Sequence, residues 1–134
     1  MVPIRILIAE SNSVIAHALQ RLLQPAPEIA IVAIASEGGE TLQLAARYQP
    51  AVAVLNVGLP SLNGRAVIPS LRERFPSLPI VALAIYPALR EMTLAAGACR
   101  FALLDAPPSE LIAAIQSAAD GECQSVAGAG LEEG

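Results

Sequence analysis

The chain has 134 residues, enough for one domain with a single core, and a net charge of −4 with no Lys/Arg cluster, which argues against a segment that grips nucleic acid by itself. Its hydrophobic content is 54% but its aromatic content only 3%, so the predicted core is one of Ala, Leu, Ile and Val. All 8 basic residues are arginines, and the only aspartates are Asp105 and Asp120; a mechanism that needs a lysine ammonium or an aspartate cluster is excluded.

Ile4 to Ala9 is a short apolar run and reads as the first strand. Glu10-Ser11-Asn12-Ser13 breaks it, with Ser11 or Ser13 the expected N-cap of a helix from Val14 to Leu23 whose stripe is Ile15, Leu19, Leu22 and Leu23. Lone His17 on this helix reads as surface or half-buried filler rather than a ligand. Pro25 and Pro27 end the helix, and Glu28 to Ala35, rich in Ile and Val, is the second strand. A turn at Ser36-Glu37-Gly38-Gly39 leads into a helix from Glu40 to Tyr48, with Leu42, Leu44 and Ala45 inward.

The stretch Ala51 to Gly64 is central to the reading. Its opening apolar run suits a strand buried on both faces of a parallel sheet. It stops at one polar residue, Asn56, and a turn punctuated by Gly58, Pro60 and Asn63-Gly64 follows. The carboxyl end of a central strand is where open α/β sheets place their sites. Beyond it come a helix from Ala66 to Phe75 with Pro69 inside, a strand from Ile80 to Ile85, and a short helix from Tyr86-Pro87 to Ala96 capped by Gly97. Cys99 to Leu104 is the fifth strand, and Glu110 to Ala119 the last helix, with Leu111, Ile112 and Ile115 inward.

Strand and helix patterns alternate with short crossovers, which predicts a doubly wound, parallel, five-stranded sheet of order 2-1-3-4-5 between helical layers. Residues 1–121 are expected to form the domain. Residues 122–134 lack apolar periodicity and read as a linker or appended tail, so the domain is expected to belong to a longer protein. Cys99 and Cys123 lack metal-ligand spacing and read as a core thiol and a tail thiol. The N-terminus lacks signal-peptide architecture and no apolar run suits a membrane span, so a soluble cytoplasmic protein is expected.

From Ile4 to Gly121 the chain resembles the receiver domain of two-component response regulators, a flavodoxin-like (CheY-like) fold, and within it the NarL/LuxR type. The residues that carry the resemblance are Ile6-Leu7-Ile8-Ala9 before the acidic loop, Ser36 to Glu40, Leu59 to Gly64, Gly97-Ala98, and Leu103 to Leu111. Receivers accept a phosphoryl group on an aspartate at the end of strand three. Two acidic residues after strand one hold Mg2+, a lysine after strand five and the metal offset the phosphoryl charge, and a Thr or Ser on strand four contacts it. The resemblance places those roles on Asn56, on Glu10 and Ser11, on Leu104 and on Ala84. Of that set only Glu10 keeps a matching side chain, and Phe101 keeps the switch aromatic of strand five. Asn56 is an amide and forms no acyl phosphate; Ala84 has no hydroxyl; Leu104 has no charge and is expected to fill the emptied pocket. Glu10 with Asn56 and a backbone carbonyl is expected to hold a cation only weakly, with roughly millimolar affinity.

The resemblance thus implies a degenerate pseudo-receiver, not an enzyme, without cofactor or resident metal. It is expected to act by contact with itself or another regulatory protein, through the surface of helix four, strand five and helix five. DNA would be met only through a helix-turn-helix absent from this chain. Two alternatives stay open: a conventional phosphorelay receiver, and a flavodoxin-like binder of a small ligand or nucleotide that uses Glu10 to Ser13 as a phosphate cradle.

Overall fold

The computed structural model describes residues 2–57 and 64–124. The turn residues Gly58, Pro60 and Asn63, and the tail from Ser125 to Gly134, lie outside them. The elements are β1 (Ile4–Ala9), α1 (Ser13–Leu23), β2 (Ile29–Ala35), α2 (Gly38–Tyr48), β3 (Val52–Asn56), α3 (Gly64–Arg74), β4 (Ile80–Ala84), α4 (Arg90–Ala96), β5 (Arg100–Leu103) and α5 (Pro108–Ala119), with a 3-10 turn Pro87–Leu89 before α4. All strand pairings are parallel, in the order β2-β1-β3-β4-β5. This is the flavodoxin-like arrangement expected from the alternating pattern.

Every residue of β3 and β4 is buried, as are the last four of β1. That is why these strands read as unbroken apolar runs: both faces are covered. Leu7, Ala9, Ala53, Leu55 and Ile80 point to one side, where they meet Ala45 of α2, Val67, Ile68 and Leu71 of α3, and Leu94 of α4. Ile6, Ile8, Val54, Val81 and Leu83 point to the other, where they meet Leu19 and Leu23 of α1 and Leu111, Ala114, Ile115 and Ala118 of α5. The period-two alternation of a strand thus splits one run into two cores.

Several boundaries differ from expectation, each for a local reason. The N-cap of α1 is Asn12, not Ser11 or Ser13: its Oδ1 accepts the amides of Val14 at 2.8 Å and Ile15 at 3.1 Å, and Ser13 is already in the helix. The helix after β4 is split, because Pro87 and its neighbours form a tighter turn before α4. Pro108 opens α5, two residues earlier than expected, since proline suits a first-turn position whose N–H needs no partner. Pro69 sits inside α3 at an exposed position.

The connection between α2 and β3 is locked by two features. Gln49 takes the left-handed conformation at φ 47° as the C-cap of α2. Arg5 on β1 donates to the carbonyls of Tyr48 at 2.7 Å and Gln49 at 3.0 Å, tying that helix end to the sheet.

Candidate functional site

The carboxyl ends of β1, β3 and β4 stand side by side, because Ala9 pairs with Leu55 and Asn56 with Leu83. This register brings Glu10 next to Asn56. Both are among the few buried polar side chains, 1% and 3% exposed. Asn56 Nδ2 donates to Glu10 Oε1 at 2.5 Å, and the Asn12 amide donates to Glu10 Oε2 at 2.9 Å. Both carboxylate oxygens are therefore engaged by N–H donors, which offsets much of the cost of burying the charge. Ser11 is half-buried beside them.

Ala84 ends β4 and is fully buried. Leu104 directly follows β5, and its amide donates to the Ala84 carbonyl at 2.7 Å. The Leu104 side chain is half-buried and packs on the core layer of α1 and α5. There it lines a cavity of about 230 Å3 with Ile15, Leu22, Leu103 and Pro108. Phe101, on β5, is half-buried against the opposite core layer. His17 is exposed on α1.

The chemistry open to this cluster is narrow. Asn56 offers no carboxylate nucleophile, Ala84 no hydroxyl and Leu104 no positive charge. A hard divalent cation needs several oxygen ligands. Here one carboxylate is present, its oxygens already accept N–H donors, and Asn56 turns its nitrogen rather than its oxygen toward it. Among the described residues no three His, Cys, Asp or Glu side chains are grouped to hold a metal ion. The residues present do not fit Mg2+.

A family model described as the response regulator receiver domain matches residues 6–116. The chain belongs to that family. Among its relatives, the nitrate/nitrite response regulator protein NarL of Escherichia coli K12 is 30% identical over 122 residues, which are 90% of this chain and 56% of that protein. The transcriptional regulatory protein DegU of Brevibacillus brevis is 27% identical over 120 residues, 88% of this chain and 51% of that protein. The chain thus spans about half the length of these curated relatives. In architecture the receiver matches the signal receiver domain of NarL from Mycobacterium tuberculosis, with TM-score 0.82 at 23% identity, covering 90% of this chain and 99% of that one. It also matches a LuxR-family two-component response regulator from Aurantimonas, with TM-score 0.84 at 23% identity, covering 92% and 90%. The receiver is homologous to NarL/LuxR-type regulators. No helix among its described residues is long and apolar enough to cross a membrane.

The expectation of two separate thiols is corrected. Cys99 and Cys123 form a disulfide, with their Cα atoms 4.4 Å apart across 24 residues of sequence. Spacing alone hid the pair. The topology carried the signal: Cys99 precedes β5, and the antiparallel return of α5 brings Cys123 back to the same end of the sheet. The role of Gln124 was equally hidden. Its amide donates to the Cys99 carbonyl at 2.7 Å, and its Oε1 accepts the Phe101 amide at 2.6 Å.

Proposed function

We propose that this receiver is a phosphorylation-independent signalling module of a NarL/LuxR-type transcriptional response regulator, and that it works by protein–protein contact. The observation that carries the reading is the buried Glu10–Asn56 hydrogen bond, which stands where a phosphoacceptor carboxylate and its metal would have to be. Glu10, Ser11, Asn56, Ala84 and Leu104 are then a degenerate phosphoacceptor site, and Phe101 keeps the place of the switch aromatic. The module is not an enzyme, it resides in the cytoplasm, and DNA contact belongs to a domain beyond this chain.

The contact surface is the α4–β5–α5 face, used for a homodimer or for another regulatory protein. Support comes from the exposed apolar side chains of Ile85, Tyr86 and Met92 at the start of that face. Grouped exposed apolar side chains favour burial against a partner. The nucleotide-cradle alternative is weakened by Asn12, whose side chain already takes the first free amides of α1.

Titration with beryllofluoride and Mg2+, followed by amide NMR shifts, tests the reading. No localised shift is expected. Saturable shifts at Glu10, Asn56 and Ala84 would restore the conventional phosphoacceptor and sink the proposal.

A further inference from the structure

We infer that Cys99 and Cys123 form a reversible thiol–disulfide site that clips the segment after α5 onto the edge strand β5. It is independent of how Asn56 is read.

The segment Glu122 to Gln124 runs beside the start of β5. Besides the disulfide, three hydrogen bonds hold it there: Gln124 N–H to the Cys99 carbonyl at 2.7 Å, Phe101 N–H to Gln124 Oε1 at 2.6 Å, and Arg100 Nη1 to the Glu122 carbonyl at 2.7 Å. Among the described residues β5 is an edge strand of the sheet, with no strand beside its outer backbone groups. The clip supplies partners for some of them. Both sulfurs belong to one chain, 24 residues apart, so closing the bond is an intramolecular step.

The two cysteines differ in access. Cys99 is 5% exposed, whereas Cys123 is an exposed residue. Exchange therefore begins at Cys123. In oxidation, the Cys123 thiolate attacks a low-molecular-weight disulfide of the glutathione class and expels one thiolate. The Cys99 thiolate then attacks Cys123 Sγ and expels the second. Two cysteine protons and two electrons pass to the disulfide, which leaves as two thiols. Reduction is the reverse.

The sheet does not depend on this bond. Both core layers are closed by α1, α5, α2, α3 and α4, and the clip lies at the margin. Opening it frees the strap and bares the Phe101 amide on the strand that carries the proposed contact face.

The 134-residue protein is equilibrated in glutathione buffers from oxidising to reducing, its thiols are counted by alkylation and mass, and its amide exchange is followed by NMR. The clip is expected to close in oxidised glutathione and open in millimolar reduced glutathione. On opening, the Phe101 and Gln124 amides should exchange at least about tenfold faster, while β1, β3 and β4 stay protected. Cys123→Ser should show the fast rates in both buffers. Three results would overturn the inference: a bond that never forms, a bond that survives millimolar reduced glutathione, or opening that leaves these amides unchanged. Global unfolding of the reduced wild-type protein would also overturn it, by making the bond a structural staple.

Discussion

Asn56 and Glu10 show how two side chains set what a strand end does. The amide gives the buried carboxylate a donor where an aspartate would give it a second negative charge. Asn56→Asp is therefore expected to lower stability by about 2 kcal/mol or more at neutral pH without metal, measured by urea unfolding, because it removes a buried hydrogen bond and adds like-charge repulsion. Adding Ser11→Asp should deepen the loss, and 10 mM Mg2+ should return roughly 1 kcal/mol to the double variant and nothing to the wild type. A variant as stable as the wild type in metal-free buffer would contradict the role given to this pair. The sequence displayed Asn56, Ser11, Ala84 and Leu104 at or just after the ends of its predicted strands. It did not display the closing of Glu10 by Asn12 and Asn56, which depends on side-chain orientation across two strands.

At the scale of elements, ends and connections matter most. Gly97 caps α4 at φ 123°, and a Cβ there would lie 2.7 Å from Arg72 Cγ. Gly97→Ala should cost about 2 kcal/mol, from the left-handed backbone and the displaced Arg72 stem. Adding Arg72→Ala should recover only the steric share, and full recovery would show the backbone cost to be absent. Asn12→Ala should cost about 1 kcal/mol by leaving the Val14 and Ile15 amides uncapped, read from the unfolding midpoint. Opening the Cys99–Cys123 bond releases a 24-residue span, for which chain entropy predicts a loss of about 3 kcal/mol. That is tolerable for a domain whose core is intact, and it distinguishes a clip from a foundation. The strands and helices were legible because burial on two faces writes continuous apolar runs and burial on one writes a helical stripe. The caps were less so: Ser11, Asn12 and Ser13 are all competent capping residues, and the position of the chain's first helical turn chose among them.

The whole molecule is a three-layer scaffold whose two faces are treated differently. Ile85 and Tyr86, directly after β4, and Met92 of α4 are exposed apolar side chains, whereas the segment after α5 is clipped at the other, amino-terminal end of β5. If the α4–β5–α5 face pairs two copies, light scattering should give twice the chain mass for the wild type at micromolar concentration, and Tyr86→Asp should return it to one chain mass. A monomeric wild type would move the contact to another protein. The disulfide ties the segment after α5 to β5, a strand of the proposed contact surface, so the mass should be measured in both redox states.

The sequence by itself determined the order of the elements, the parallel sheet and which residue types stand at the strand ends, because these follow from periodicity, chain connectivity and residue chemistry. Only the tertiary structure decided that Glu10 is closed off by N–H donors, that Leu104 turns into the layer of α1 and α5, and that Cys99 and Cys123 meet. Each of those depends on a distance between residues far apart in the chain, set by strand register and by the return path of a helix.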